Sequence, residues 1–234
     1  MSKGLDDADA HAKALGGTLG AVILDLNSGV MLDRNGDRSF PMGGVQKLIE
    51  AILAYAGIDQ GALPIGTKDA VAAMLTANDD APESRVVATL GGVGPINASL
   101  RGFGYSAIVE NEGDNSSVAT PDDLAHVLAD LVGGHLLKPA SRDALTALMA
   151  GNQTLPGGLR AGLGPKMQLM HQAGIIESDG MTTQANDIGV AVIGTRRVVI
   201  VAMLQNAKGT RAQIEAVLAD VARAAGDAAT LLGP

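Results

Sequence analysis

The chain of 234 residues has the length of one ordinary domain, and 47% of it is hydrophobic, enough to bury a sizeable core. Aromatic residues make up only 2%, with no tryptophan, which argues against surfaces that stack on bases or sugars. The net charge of −8 opposes binding to nucleic acid or to an anionic membrane, and the lack of cysteine excludes disulfides, thiolate metal sites and cysteine nucleophiles.

The first half of the chain reads as a hairpin followed by helices. Residues 18–26 are typical of a strand, Asn27-Ser28-Gly29 has turn chemistry, and residues 29–33 follow as the hairpin partner. After Gly43-Gly44, apolar residues recur at helical spacing and predict a helix over residues 45–56. Shorter helices are expected over residues 69–77 and 83–90, and another begins near Pro95.

The second half returns from helices to strands. Asp122 and Asp123, after Pro121, predict a helix over residues 122–132, and the next helix spans residues 139–149. Strand-like runs cover residues 167–173, 188–193 and 198–204, and a final helix covers residues 209–225. This order does not alternate strand and helix, so it favours an α+β fold with an antiparallel sheet from both chain ends and a helical insertion.

Targeting and metal signals are weak. The N-terminus carries no apolar stretch of signal-peptide length, and no run of 18 apolar residues occurs, so we expect a soluble, cytoplasmic protein without membrane contacts. His11, His126 and His135 lack metal-ligand spacing, and we expect no metal and no cofactor. The sequence does not determine the oligomeric state.

Four stretches, in order along the chain, carry a family resemblance: residues 17–25 with 40–42 and Lys47; residues 73–92; residues 113–121 with 139–152; and Gly174 with residues 185–192. Together they resemble the class A β-lactamases, a family of serine hydrolases. The resemblance implies a single β-lactamase-like domain over residues 1–234. Its α/β lobe would cover about 1–43 and 165–234, its all-helical lobe about 44–164, and the cleft would lie between them.

The resemblance breaks at the nucleophile. It places the family's reactive serine at Gly44, three residues before Lys47. A glycine has no side chain and cannot form an acyl-enzyme. No lysine in the chain follows a serine or threonine by three residues, and there is no G-x-S-x-G motif. We therefore expect acyl-enzyme chemistry to be absent.

The other positions that the resemblance assigns to catalysis are changed as well. Asn78-Asp79-Asp80 stands for the Ser-Asp-Asn motif and lacks its hydroxyl. Gln172-Ala173-Gly174 stands for the Lys-Thr-Gly motif, so a neutral amide replaces the cation that recognises a β-lactam carboxylate. The loop that supplies the deacylating glutamate is shortened between residues 102 and 113, where Glu110 and Glu112 lie outside a recognisable motif.

Several residues have two interpretations. Lys47 is either a general base or a lysine paired with Asp79 or Asp80. The Asx residues 78–80 either form an acid/base cluster or cap the helix after Pro82. Gly43-Gly44 is either an anion-binding nest or a tight turn. His171 is either a catalytic base or a surface or sheet-edge histidine.

Two functional hypotheses follow. The first is a binding or scaffold protein whose cleft takes a small polar ligand, such as a carboxylate or an amide. The backbone N–H groups of Gly44 and Ile175, the oxyanion-hole donors implied by the resemblance, would contact that ligand. The other expected contacts are Asn78, His171, Gln172 and Glu110. The second is an enzyme that uses Lys47 with Asp79 or Asp80 as acid/base groups, and a β-lactam or amide hydrolase ranks behind both.

Overall fold

The computed structural model describes residues 3–77, 80–112, 116–164 and 167–232. Its elements are, in chain order, α1 (Lys3–Ala14), β1 (Thr18–Asp25), β2 (Met31–Arg34), β3 (Phe40–Pro41), the 3-10 helix η1 (Gly43–Val45), α2 (Gln46–Asp59), α3 (Thr67–Ala77), α4 (Asp80–Thr89), α5 (Val93–Gly102), β4 (Val118–Ala119), α6 (Pro121–Gly133), α7 (Pro139–Gly151), α8 (Leu159–Leu163), β5 (Gln168–Ser178), β6 (Met181–Ile193), β7 (Arg196–Gln205) and α9 (Arg211–Leu231).

The main sheet has five antiparallel strands in the order β2-β1-β7-β6-β5. Strands from both chain ends therefore lie side by side, and the predicted α+β fold with an antiparallel sheet is confirmed. The central strand β7 is buried on both faces, which explains its nearly continuous apolar sequence. Residues Val199 and Val201 face one core, whereas Ile200 and Ala202 face the other.

The two cores lie on opposite faces of the sheet. On one face, α1, α8 and α9 cover apolar residues that include Leu19, Ala173 and Leu204. On the other face, α6 packs on β1 and β7, and behind it the core continues into α2, α3 and α7. The division into lobes at residues 43–44 and 164–165 stays a prediction. No helix within the described ranges is long and apolar enough to cross a membrane.

The prediction of elements was incomplete at the N-terminus and in the hairpins. Helix α1 was missed, although Leu5, Ala8 and Ala12 are buried at helical spacing. Strand β6 extends from Met181 rather than from residue 188 as predicted. The β5–β6 turn has Asp179 and Gly180 at positive φ, the conformation of a tight hairpin turn. The short elements β3, β4 and α8 were also missed.

Side-chain amides of the β5–β6 hairpin hold the segment that leads into α2. Asn186 donates from Nδ2 to the carbonyl oxygens of Pro41 at 2.8 Å and Met42 at 2.7 Å. Gln184 donates from Nε2 to Pro41 O at 2.9 Å, and Gln172 from Nε2 to the carbonyl oxygen of Gly44 at 3.2 Å. The start of α2 is thereby fixed against the cleft-side face of the sheet.

Two glycines pack closely together in this region. A Cβ on Gly174 would lie 2.5 Å from the backbone nitrogen of Gly44 and 2.7 Å from its Cα. Position 174 on β5 therefore has no room for a side chain, and the backbone of Gly44 rests directly on the strand.

We expect Gly174→Ala to lower the free energy of unfolding by about 1–3 kcal/mol, because the new methyl group must displace η1. The control is Gly226→Ala in α9, where no atom lies within 4 Å of the added Cβ; it should leave stability unchanged or raise it by up to about 1 kcal/mol. Urea unfolding of both variants measures the difference. A Gly174→Ala protein as stable as the wild type would contradict the close contact.

Candidate functional site in the cleft beside the start of helix α2

A cavity of about 610 Å³ opens beside the start of α2. A volume of this size suits a small organic molecule. The described residues that line it come from η1, α2, α4, α5 and the segment before β4. They are Gly43, Gly44, Gln46, Lys47, Glu50, Glu83, Ser84, Val87, Ala88, Val93, Glu110, Asn111, Glu112 and Ser117.

Lys47 and Glu83 form an ion pair across the cavity wall. The Nζ of Lys47 lies 3.3 Å from Oε2 of Glu83, and the lysine side chain is only 5% exposed. Gln46 donates from Nε2 to the other oxygen of Glu83 at 2.6 Å. Helix α2 thus presents two consecutive side chains to one carboxylate on α4, which holds Glu83 at a fixed place in the wall.

Glu50 lies one turn after Lys47 on α2 and is completely buried. Neither of its carboxyl oxygens has a partner in strict hydrogen-bond geometry among the described residues, although the Glu83 carboxyl lies near. Burial, followed by the charges of Glu110 and Glu83, raises the pKa of Glu50 to about 9, against the opposing effect of Lys47. Glu50 therefore retains its proton at neutral pH.

Glu110 is the second buried acid of the cavity, with 3% exposure. Its backbone is fixed by Asn97, whose Nδ2 donates to the carbonyl oxygen at 2.7 Å and whose Oδ1 accepts from the Glu110 N–H at 2.8 Å. Its Oε1 atom has no hydrogen-bond partner among the described residues. Burial, with a smaller effect of the Glu83 charge, raises the pKa of Glu110 to about 8.

The acids of this cavity carry protons that they can exchange near neutral pH. Near neutral pH Glu50 and Glu110 are mainly protonated, and they lie beside the ion pair of Lys47 and Glu83. A buried acceptor without a partner costs about 1–3 kcal/mol, so both acids are held at the expense of stability. Groups with pKa values near the working pH are suited to proton transfer and to binding that is coupled to proton release.

Three of the predicted site residues meet in this cavity, namely Gly44, Lys47 and Glu110. Asn78 and Asp79 lie outside the described residues. Asp80 is the first residue of α4, and its side chain is not among those described.

Gln172 is fully buried behind the cleft rather than among the lining residues. Its Nε2 donates to Gly44 O, and its Oε1 accepts from Nδ2 of Asn152 at 2.8 Å. Ile175 follows Gly174 on β5 and packs with the core on the far face of the sheet. Its side chain is not part of the cavity lining. The two-donor oxyanion hole expected from Gly44 and Ile175 stays a prediction.

His171 corrects one expectation. Strand β5 does lie at the sheet edge, but the imidazole is fully buried, so the interpretation as a surface histidine was wrong. Its Nδ1 lies 2.7 Å from Oδ1 of Asp187 on the neighbouring strand, and its Nε2 lies 3.2 Å from Asn152 O. Asp187 also accepts from the Leu159 N–H at 3.0 Å. His171 is not among the described residues that line the cavity; it takes part in joining β5, β6 and α8.

Sequence reasoning missed Glu50 and Glu83. A signal for Glu50 was present, since it is an acidic residue within an otherwise apolar run of α2, on the same side of the helix as Lys47. Glu83 carried no comparable signal, because acidic residues near the start of a helix usually only favour its dipole. Its role appears only when α4 packs against α2.

The fold and the position of the cavity define a class A β-lactamase-like protein. A model of the β-lactamase enzyme family matches residues 64–229, and the chain belongs to this family. Among characterised relatives, β-lactamase L2 of Stenotrophomonas maltophilia is 27% identical over 257 residues, covering 94% of this chain and 84% of that protein.

Solved structures agree with this assignment. A β-lactamase from Chitinophaga pinensis superposes with a TM-score of 0.89 at 22% identity, covering 97% of this chain and 99% of that one. One from Xanthomonas campestris gives 0.84 at 25% identity, with coverages of 95% and 97%. An ancestral class A β-lactamase gives 0.85 at 26% identity, with coverages of 95% and 98%. The resemblance read from the sequence is confirmed at the level of family and fold.

The buried acids predict a pH-dependent stability. Glu110 has a folded-state pKa of about 8 against an ordinary value of 4.5, so it keeps its proton in the folded chain and loses it on unfolding. The contribution of Glu110 to the free energy of unfolding therefore falls by up to about 1.4 kcal/mol per pH unit as the pH rises between these two pKa values. We expect Glu110→Gln to flatten the decline of the free energy of unfolding between about pH 5 and pH 8. Urea titrations at both pH values measure it.

The matched control is Glu177→Gln, an exposed glutamate on β5. It should keep the wild-type pH dependence. Identical pH slopes for wild type and Glu110→Gln would show that Glu110 is not a buried, protonated acid.

Proposed function

We propose that this chain is a small-ligand-binding protein that uses the β-lactamase cleft without forming an acyl-enzyme. One observation carries the proposal. Gly44 lines a cavity of about 610 Å³ at the start of α2, three residues before a buried lysine, where the family resemblance places the reactive serine. The cleft has room for a ligand, and the residue at its centre offers only backbone groups.

The contacts around Gly44 support a maintained binding site. Amide side chains from two strands hold the segment that carries Gly44, and Gln46 and Lys47 anchor the opposite wall through Glu83. Each of these contacts preserves the shape of the cavity. The relatives named above are called β-lactamases, which is the reason to test β-lactams first.

Among the described residues, two serines line the cavity, but neither lies at the start of α2. Ser117 is 2% exposed, and its Oγ accepts from the Asn111 N–H at 3.2 Å. Ser84 is exposed and follows Glu83 on α4. A labelling experiment with a β-lactam tests both serines together with the position of Gly44.

A second candidate is a serine-free enzyme that works by acid/base chemistry. The observation in its favour is that Glu110 has a pKa of about 8 and shares a cavity with the Lys47–Glu83 ion pair. Such a pair of groups can pass protons to and from a bound substrate near neutral pH. The sequence assigned this role to Lys47 with Asp79 or Asp80. The acids that the described part of the cavity supplies are Glu50, Glu83, Glu110 and Glu112, and a β-lactam or amide substrate would be the first to try.

Incubation with a fluorescent penicillin should give no covalent adduct, because no nucleophilic side chain exists at position 44. The measurement is gel fluorescence and intact mass after denaturation, with a serine β-lactamase treated in parallel. Stoichiometric labelling that survives denaturation would overturn the proposal, and peptide mapping would then identify the reactive residue.

Replacing Gly44→Ser should not create an efficient β-lactamase. The positions of Asn78 and Gln172 would still lack the hydroxyl and the cation, and residues that act as a unit recover little when one is restored. We expect at most slow acylation, with turnover far below the roughly 10 per second of an ordinary enzyme. Gly44→Ala controls for the added side chain. Rapid nitrocefin hydrolysis by Gly44→Ser alone would show that the remaining machinery is intact.

A further inference from the structure

The ionisable groups among the described lining residues of the cavity are mostly acids. Among the described lining residues, Glu50, Glu83, Glu110 and Glu112 carry carboxyl groups, and Lys47 carries an ammonium. The Lys47 charge is already engaged by Glu83 at 3.3 Å. A carboxylate ligand would therefore enter a site whose remaining ionisable groups are acids.

Two of these acids point to a ligand with hydrogen-bond donors. Glu110 is 3% exposed and Glu50 is fully buried, and both line the cavity. Oε1 of Glu110 has no hydrogen-bond partner in the described part of the chain, and neither oxygen of Glu50 has one in strict geometry, although the Glu83 carboxyl lies near Glu50. Buried carboxyl oxygens are normally paired, so an unpaired one on a residue that lines a cavity points to a donor that the ligand can supply.

Resting on the proposed ligand-binding function, we propose that the cleft selects a small organic cation, one that carries an ammonium or guanidinium group on a short alkyl chain. The cationic head would lie between Glu50 and Glu110 and donate to their oxygens. Ammonium supplies three donors and guanidinium five, with no acceptor to conflict with the acids.

The rest of the lining fits such a molecule. Val87, Ala88 and Val93 give the cavity an apolar side that a short alkyl chain can contact. A bare metal ion fits less well, because no group of three or more His, Cys, Asp or Glu among the residues described has the geometry of a metal site. The cavity volume is also far larger than an ion needs.

Gln172 supports the same selection from the other side of Gly44. The family resemblance places at this position the cation that recognises the β-lactam carboxylate. Here the side chain is a neutral amide, fully buried, with its Nε2 donating to Gly44 O and its Oε1 accepting from Asn152. It carries no positive charge to attract an anion.

A cation that binds between two protonated acids must displace protons. Burial and neighbouring charges raise the pKa values of Glu50 and Glu110 to about 9 and 8, and a positive ligand would lower both. Binding should therefore release protons near neutral pH and become tighter as the pH rises towards 8. Proton release on binding therefore distinguishes a cation bound by these two acids from a cation bound at an exposed surface.

The experiment is calorimetric titration of the whole chain with four probes of similar size: n-butylammonium, n-butylguanidinium, pentanamide and pentanoate. At about pH 8 we expect the cations to bind at least about tenfold more tightly than pentanoate or pentanamide. Titrations in two buffers with different ionisation enthalpies should show proton release on cation binding. Glu110→Gln should weaken cation binding by about tenfold or more, and Glu177→Gln should leave it unchanged.

The outcomes separate this inference from the function on which it rests. Preferential binding of pentanoate or pentanamide would overturn the cation selectivity and keep the ligand-binding function. Cation binding without proton release, or equal binding to Glu110→Gln, would overturn the placement between the acids. Absence of binding by all four probes at about 10 mM would count against both proposals. If Glu110→Gln fails to fold, proton release by the wild type still decides the placement.

Discussion

The cleft depends on the way the β5–β6 hairpin binds the chain just before α2. Asn186 and Gln184 donate to the Pro41 and Met42 carbonyls, and Gly174 lets the Gly44 backbone rest on β5. Backbone carbonyls and a missing Cβ make this junction, so it does not require a serine at the start of α2. A chain of this family can therefore keep the geometry of the cleft while the side chain at its centre is absent.

The same junction explains why buried acids are tolerated. With α2 fixed at its start, Glu50 is carried into the interior one turn later, whatever the cost of burying a carboxyl group. Glu50 avoids burying a charge because it remains protonated, and Glu110 on the facing segment does the same. Lys47 and Gln46 both contact the carboxyl group of Glu83. One charged pair and two protonated acids then coexist in a single cavity.

The sequence predicted the parts of this structure that depend on local pattern or family resemblance. The sheet strands, the helix with Lys47 and the cleft position of Gly44 followed from these. Helix α1 was missed because two of its four buried residues are alanine, whose weak hydrophobic signal does not stand out from solvent-facing alanine, and a third is aspartate. The pairing of Lys47 with Glu83, and of His171 with Asp187, joins residues distant in sequence. No spacing rule in the sequence relates such residues, so these pairs can be identified only from the packed structure.

The changes in the cleft are physically consistent with one another. In the family's chemistry, a hydroxyl attacks, a lysine and a second hydroxyl move its proton, and a cation holds the substrate's carboxylate. On the proposed function, position 44 has no attacking hydroxyl, so a cation at position 172 would have no reacting substrate to hold; the Gln172 amide instead donates to Gly44 O. Near neutral pH Glu50 and Glu110 hold their protons, so they add no charge to the unliganded cavity. On the proposed function, loss of the nucleophile and loss of the cation that holds a carboxylate therefore both follow from one change in what the cavity binds.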